Sequence, residues 1–264
     1  NLTIDSTFEN QNSNKWLKEG SIVNNYSKNV NEKFNIHINS ALQTSKNYIQ
    51  RTTPNDDLSY ASSLSSALTV NGYNLKKMDD KLKFNITTYH SNQNNEDNKT
   101  IPTVLPYITY NTGLYKFKSY EYNNVLEFYN IFRDTPTEIH SKSQRKLSST
   151  ISLKNEFINF GTQIKYKANL YNQYFDVDNK KIDNKDVVST YVRSFPIFGV
   201  DLETPFKIKN SRSNLIYTPK ISFVVSPGQS NSNKISNEDS SVNSYTIENN
   251  SSLNRFAGTD KLDN

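Results

Sequence analysis

Cysteine is absent from all 264 residues of this chain. A chain without thiols cannot build a disulfide framework, and it cannot bind a metal through thiolate ligands. Its fold must therefore be held by non-covalent contacts alone.

Long hydrophobic runs are missing as well, because no window approaches the roughly 18 apolar residues that a transmembrane helix needs. This excludes a spanning helix but not spanning strands, which alternate apolar and polar residues and so keep average hydrophobicity low. Only 34% of the residues are hydrophobic, yet 17 tyrosines and 14 phenylalanines raise the aromatic content to 12%. Disordered chains are poor in aromatic residues, so the composition favours a β-barrel with an apolar outside and a wet interior.

Catalytic motifs are also lacking, since the sequence contains no GxSxG, HExxH or Walker loop. An enzyme is not predicted, and neither a cofactor nor a metal site is expected. The carboxylate pairs Asp56-Asp57, Asp79-Asp80 and Glu238-Asp239 could bind calcium, but neighbouring acids in loops are interpreted as solvated. The net charge of +5 permits anionic partners. Nucleic acid is not predicted, because lysine and arginine are scattered along the chain.

The clearest pattern that is present covers residues 148–171. From residue 158 to residue 170 every second position is apolar or neutral, and asparagine, glutamine and lysine fill most of the positions between them. This alternation predicts a strand with one apolar and one polar face, about 13 residues long and able to cross a bilayer at a tilt. A shorter alternating run precedes it, so residues 154–156 are predicted to form the turn of a β-hairpin.

The lengths of the polar connections alternate between short and long from residue 29 onward, with residues 172–186 and 226–264 among the long ones. Outer-membrane barrels have short turns at one end and long extracellular loops at the other. We therefore predict an all-β fold, a partial antiparallel transmembrane β-barrel of roughly eleven strands. Residues 1–225 would form the strands and hairpins, and residues 226–264 a long polar loop. The chain begins with asparagine, which predicts a segment of a longer protein whose missing strands close the sheet.

Three motifs follow one another near the end of the chain. They are Val225-Ser226-Pro227, then Asn237-Glu238-Asp239-Ser240, and then Asn254-Arg255-Phe256 with Gly258 and Asp260. Their order and spacing resemble the signature of LptD, the lipopolysaccharide-assembly outer-membrane protein family. In that family a strand ending in Ser-Pro precedes an Asn-Glu-Asp-Ser loop and an Asn-Arg-Phe-x-Gly-x-Asp-Arg sequence. Lys261 stands where the family has arginine, and the resemblance is looser upstream.

The resemblance implies a part of the outer-membrane translocon that inserts lipopolysaccharide into the outer leaflet of the Gram-negative outer membrane. The partners it implies are lipopolysaccharide, an outer-membrane lipoprotein plug (LptE-like) and a periplasmic bridge protein (LptA-like). The family's lateral gate lies between its first and last strands, so this central barrel fragment is expected to supply wall and loops.

Two groups of site residues follow from this resemblance. The motif loop, structural or lumen-binding, comprises Asn237, Glu238, Asp239, Asn254, Arg255, Phe256, Gly258 and Asp260. Arg255 and Asp260 are expected to pin this loop inside or over the lumen through charge-assisted hydrogen bonds. Lys165 and Lys167 are expected to face the lumen, where their charge suits an anionic glycan.

Two other classes of protein share parts of this pattern. A passive porin or receptor barrel has the same strands but lacks the Asn-Arg-Phe-x-Gly-x-Asp motif. A soluble β-rich carbohydrate-binding or adhesin module has similar strands, but it needs a second layer of protein over one face of each strand. Partition into detergent or buffer distinguishes the barrel from the soluble module.

Overall fold

A computed structural model of the chain describes residues 2–11, 15–55, 57–92, 97–209, 214–228, 231–241 and 252–262. Within these ranges, no helix is both long enough and apolar enough to span a membrane. The described residues form fourteen strands, one short α-helix, α1 (Tyr48–Thr52), and two 3-10 helices, Asp57–Tyr60 and Asn98–Thr100. The first seven strands are β1 (Leu2–Gln11), β2 (Lys15–Asn29), β3 (Phe34–Gln43), β4 (Ser63–Tyr73), β5 (Lys81–Ser91), β6 (Thr103–Asn111) and β7 (Tyr115–Phe117). The others are β8 (Tyr120–Phe132), β9 (Ser143–Asn159), β10 (Thr162–Ile182), β11 (Lys185–Glu203), β12 (Phe206–Lys209), β13 (Asn214–Tyr217) and β14 (Lys220–Val225).

Almost all strands belong to one antiparallel sheet in which sequence neighbours lie side by side. Its order is β1-β2-β3-β4-β5-β6-β8-β9-β10-β11-β14, with β7 attached to β8, while β12 and β13 form a separate hairpin. The predicted all-β antiparallel fold, with roughly eleven strands in an open sheet, is therefore confirmed. Such an up-and-down order arises when each strand turns back onto its predecessor, as in membrane barrels.

The predicted turn at residues 154–156 is wrong, because these residues lie inside β9. The chain reverses at Phe160 and Gly161, whose positive φ angles of 48° and 76° suit a two-residue hairpin turn. Residues 154 and 156 remain in the strand because cross-strand partners occupy the facing positions, Glu121 opposite Lys154 and Lys165 opposite Glu156. A polar run therefore marks a turn only where no neighbouring strand offers it partners.

The predicted long loop at residues 172–186 is also wrong. β10 continues to Ile182, and a two-residue turn at Asp183 and Asn184 leads directly into β11. Alternation of short and long connections thus holds along the first strands but fails here. The polar residues in this stretch are tolerated because β10 and β11 pair over almost their whole length, so their backbone groups are satisfied.

The carboxylate pairs predicted to be solvated are not uniformly so. Asp80 is fully buried at the β4–β5 turn, where its carboxylate accepts hydrogen bonds from the backbone N–H of Leu75 and Lys76 and from the Tyr110 hydroxyl. Glu238 is buried as well, as described below, whereas Asp56 lies outside the described residues. Buried carboxylates of this kind brace turns, because ionised oxygens accept several N–H groups at once.

The two faces of the sheet differ in chemistry and in cover. On β10, Lys167, Tyr171 and Gln173 share one face, and Tyr166 and Tyr174 point to the other. We call the face with Lys167, Tyr171 and Gln173 the covered face, because the C-terminal part of the chain packs on it across β8 to β11. The opposite, open face exposes cross-strand rows of large apolar side chains. Examples are Leu147, Val192, Phe198, Phe223 and Val225.

The alternation read along residues 158–170 does not continue through the turn. Ile158 pairs with Gln163 and therefore lies on the covered face, opposite to Ile164 and Tyr166. Phe160 occupies the turn itself and is fully exposed. Tyr166 is exposed on the open face, where its ring lies 5.8 Å from that of Phe157.

Candidate functional site

The candidate site lies where the C-terminal segment, residues 231–241 and 252–262, packs on the covered face. Its apolar anchors are Leu253 and Leu262, which join Tyr171, Phe195 and Ile197 in a buried cluster. A second cluster seats Ile235 against Phe175 and Val177 of β10. These contacts place the predicted motif residues over the middle of β8 to β11.

Lys146, on β9, is the charged centre of this site. Its side chain has no exposed surface, and its Nζ lies 2.5 Å from Asp239, 3.0 Å from Asp260 and 2.8 Å from Glu127. It also donates a 2.7 Å hydrogen bond to the Thr259 hydroxyl. A buried ammonium requires such partners, since removing it from water without them costs several kcal/mol.

Asp260 is the buried carboxylate that joins the segment to itself and to the sheet. Its two oxygens accept the Tyr129 hydroxyl at 2.8 and 2.9 Å. The backbone N–H groups of Glu238 and Asp239 donate to the same carboxylate at 2.8 and 3.1 Å. Because β8, β9 and both described stretches of the segment meet at this side chain, its position depends on all of them.

Arg133 and Glu238 form a second anchor beside the first. The guanidinium donates two parallel hydrogen bonds of 3.0 and 2.6 Å to the carboxylate, and both side chains are almost fully buried. Nδ1 of His140 lies 3.5 Å from the same carboxylate, and the Ser236 hydroxyl donates to it. Bidentate pairs of this kind fix orientation as well as distance.

Side chains of the sheet also bind the backbone of the segment. Gln144 accepts the N–H of Ser236 and donates to its carbonyl, both at 2.8 Å. Arg193 donates to the carbonyls of Thr259 and Asp260 at 2.8 and 3.1 Å, and Gln173 donates to that of Thr259 at 2.9 Å. The segment does not pair as a strand. Side chains of the sheet form the hydrogen bonds to its backbone groups that a neighbouring strand would otherwise form.

Gly258 allows the two halves of the segment to approach closely. A Cβ placed there would lie 2.3 Å from Oδ1 and 2.4 Å from the carbonyl oxygen of Asp239. That same Oδ1 accepts the N–H groups of Thr259 and Asp260 at 3.1 and 2.8 Å. Only glycine leaves room for these hydrogen bonds.

The acidic residues of the segment have shifted pKa values. Burial alone would raise the pKa of Glu238, but the nearby His140 imidazole, the hydrogen bonds from Arg133 and the Arg133 charge lower it to about 2. Burial opposes a similar shift at Asp239, where the Lys146 charge holds the pKa below its usual value. Burial raises the pKa of Asp260 to about 6, although Lys146 acts in the opposite direction.

These shifts predict that attachment of the segment depends on pH in two stages. The raised pKa of Asp260 means that the folded state gains stability as pH falls from about 6 toward 4, since protonation removes a buried charge. The lowered pKa of Glu238 contributes stability above its unfolded value of 4.5, and this is lost as pH falls toward 2. At about 1.4 kcal/mol per pKa unit, Glu238 accounts for about 3 kcal/mol.

Hydrogen–deuterium exchange in detergent, corrected for the pH dependence of intrinsic exchange rates, measures how attachment of the segment depends on pH. Amides of residues 235–241 should stay protected from pH 7 to pH 5 and lose protection below pH 4. A Glu238→Gln variant should lose the acid-induced step. Protection that declines steadily from pH 7 would contradict the assignment.

The predicted site residues lie in different parts of this arrangement. The structure brings together Glu238, Asp239, Gly258 and Asp260 at the centre. Asn237 closes a turn by accepting the Ser240 N–H at 3.1 Å, and Asn254 donates to the Gly258 carbonyl at 3.0 Å. Phe256 and Arg255 are half-buried. The role of Arg255 stays a prediction.

Lys165 and Lys167 lie on the covered face but away from the segment's charged centre. Lys165 is 3.3 Å from Glu203, and Lys167 is 2.7 Å from Asp201. Each lysine is thus matched by a carboxylate on the neighbouring strand β11.

Sequence reasoning missed the buried residues that hold the segment, in the sheet and just after β8, namely Tyr129, Arg133, Gln144, Lys146, Gln173 and Arg193. A faint signal existed, because Gln144, Lys146 and Ser148 are polar at alternate positions of β9. Alternating polar residues predict that one face of the strand is hydrophilic, but they do not show that charged side chains on that face are buried.

Comparison with known proteins gave one result that bears on this site. A family model described as LptD, LPS transport system D, matches residues 20–264 and so includes the whole C-terminal segment. Comparison with curated proteins found no match.

Proposed function

Because this chain belongs to the LptD family of the lipopolysaccharide transport system, we propose that it forms part of the outer-membrane translocon wall. In this proposal the translocon inserts lipopolysaccharide into the outer leaflet, and the C-terminal segment is fixed on the inner side of that wall. The family acts in lipopolysaccharide transport and outer-membrane assembly, and the confirmed all-β fold agrees with it.

The observation that carries the proposal is the contrast between the two faces of the sheet. The open face exposes rows of apolar side chains, Phe198 among them at 58% exposure, which suits contact with lipid. The covered face is polar and charged. Lipopolysaccharide combines an anionic sugar head with acyl tails, so its transporter needs a hydrated path beside an apolar boundary.

We extend the proposal to location and partners. The chain would lie in the outer membrane and contact other Lpt proteins, namely a lipoprotein plug (LptE-like) and a periplasmic bridge protein (LptA-like). The strands themselves meet the physical demand of that location, because antiparallel pairing satisfies backbone groups that lipid cannot.

Lys165 and Lys167 enter this proposal as residues along the path of the glycan. Because Glu203 and Asp201 pair with them, they present alternating charges and not one uniformly positive surface. Such a surface would guide a charged sugar without holding it tightly, since each lysine is already partly neutralised.

Photo-cross-linking in cells tests the transport path. A benzophenone amino acid at position 165, in the full-length protein, should form an adduct with lipopolysaccharide. The same group at position 166, which points to the open face, serves as the matched control. A passive porin gives no adduct at either position, and equal adducts at both would also contradict the proposal.

A charge placed on the open face tests the lipid contact. Phe198→Arg should reduce assembled protein in the outer membrane, because arginine facing lipid costs up to about 2–4 kcal/mol at the midplane. Ser152→Arg, on the covered face, should assemble nearly normally. Heat-modifiable gel mobility of membrane fractions reports both, and improved solubility of Phe198→Arg in buffer would favour the soluble module instead.

A further inference from the structure

A second concave site lies away from the C-terminal segment, at the end of the sheet where β7 meets β8 and β9 meets β10. It encloses about 580 Å³ and is lined by five lysines, Lys116, Lys118, Lys154, Lys165 and Lys167. Only two glutamates share the lining, which leaves a formal charge of +3 on it. We call this site the lysine pocket.

Carboxylates neutralise only part of this charge. Lys116 is 3.1 Å from Glu121, and Lys165 and Lys167 pair with residues of β11 as described above. Within the described parts of the chain, no carboxylate lies within ion-pair distance of Lys118 or Lys154, and both are exposed. Two cations of the pocket are therefore available to an anion.

The strand register brings two lysines of the pocket together, which favours binding of an anion. Lys154 lies directly opposite Lys167 in the β9–β10 ladder, and Glu121, which lies opposite Lys154 in the β8–β9 ladder, pairs with Lys116. Like charges at facing positions repel each other across a sheet. An anion bound between Lys154 and Lys118 would relieve this repulsion, and the neighbouring Ser119, which also lines the pocket, offers a hydroxyl donor.

Two exposed phenylalanines lie at the ends of the strands that line the pocket. Phe117 precedes Lys118 and is 71% exposed, and Phe160, in the turn of the hairpin that lines the other side, is 99% exposed. Phe160 also has a φ of 48°, a conformation that bulky residues rarely adopt. Apolar rings in such positions are stabilised when they enter an apolar medium.

We propose that the lysine pocket binds the phosphate head group of an anionic phospholipid, with Lys118 and Lys154 contacting the phosphate and Phe117 and Phe160 lying beside the acyl chains. A resident lipid fits better than free phosphate, because the pocket lies at the end of the sheet, where the two faces meet. Lys154 is on the covered face, whereas Phe117 pairs with Tyr120 on the open face, and Lys118 lies in the turn between them. The proposal goes beyond cargo transport, because this lipid belongs to the surrounding membrane.

Binding to the full-length protein in dodecyl maltoside micelles tests the proposal. The probe is phosphatidylglycerol with a fluorescent acyl chain, and the competitors are unlabelled phosphatidylglycerol, phosphatidylcholine, inorganic phosphate and lipopolysaccharide. We expect saturable binding that weakens with added salt and is displaced by phosphatidylglycerol but not by phosphatidylcholine. Lys118→Gln with Lys154→Gln should weaken affinity about tenfold or more, since charged hydrogen bonds are lost.

Matched variants make the result decisive. Lys181→Gln with Lys185→Gln removes two exposed lysines at the opposite end of the β10–β11 pair and should leave affinity unchanged. Phe160→Ser should weaken phospholipid binding. Equal affinity in all variants, displacement by inorganic phosphate alone, or preference for lipopolysaccharide over phosphatidylglycerol would each overturn the proposal. The cross-linking test described above uses a different readout, so failure of one is distinguishable from failure of the other.

Discussion

Replacing Lys146 by methionine is expected to detach the C-terminal segment from the sheet. The substitution keeps an unbranched side chain of similar length but leaves Asp239, Asp260 and Glu127 without their cation. Removing one partner of a buried ion pair typically costs about 3–5 kcal/mol, because the remaining charge stays buried and unpaired. That cost is a large fraction of the stability of an average domain.

Limited proteolysis of the purified full-length protein measures the effect of Lys146→Met. Cleavage within residues 231–241 and 252–262 should become fast, while the strands of the sheet stay protected. Lys181→Met, which removes an exposed lysine from β10, is the control and should leave cleavage unchanged.

A second substitution distinguishes whether Lys146→Met acts through unpaired charges or through a packing defect. Asp260→Asn in the Lys146→Met background removes one of the orphaned charges, so it should recover part of the protection. A double variant as sensitive as the single one would show that Lys146 acts through its packing and not through its charge.

Gly258→Ala is expected to have an effect of similar size through a different mechanism. The added methyl group would lie well inside contact distance of both the side chain and the backbone of Asp239. The segment must then move apart, which breaks the hydrogen bonds that Asp239 accepts from Thr259 and Asp260. Overpacking of this severity, added to lost hydrogen bonds, should cost about 3 kcal/mol or more.

Hydrogen–deuterium exchange at residues 257–261 reports this change directly. Ala257→Gly alters the neighbouring exposed position and should have little effect. Asp239→Ala should not rescue Gly258→Ala, because the carbonyl oxygen of Asp239 still lies 2.4 Å from the new methyl group. Full rescue would mean that the close approach at Gly258 is looser than the structure shows.

The two predictions together separate roles within the anchored segment. Lys146 and Arg133 supply the charges that hold carboxylates out of water, whereas Gly258 supplies only space. Neutralising Asp260 should therefore restore part of the stability lost in Lys146→Met. Shortening Asp239 should not restore the stability lost in Gly258→Ala. The segment is therefore held on the sheet by several independent contacts.

Predictions from sequence succeeded where the relevant physics was local. Alternation along residues 162–170 depends only on the pleat of a strand, so one apolar and one polar face could be predicted before any partner was known. The predicted turn at residues 154–156 is wrong because a run of polar residues is typical of a loop, although here β8 and β10 both pair with it.

The amino-acid sequence by itself determined the strands, their two-faced character and the polar motif near the end of the chain. Tertiary structure alone decided that Lys146 meets Asp239 and Arg133 meets Glu238, which lie 93 and 105 residues apart. Such contacts depend on the register of the sheet, and a shift of one residue would turn Lys146 to the open face and leave the carboxylates alone. Register is a property of paired strands, so no single stretch of sequence contains it.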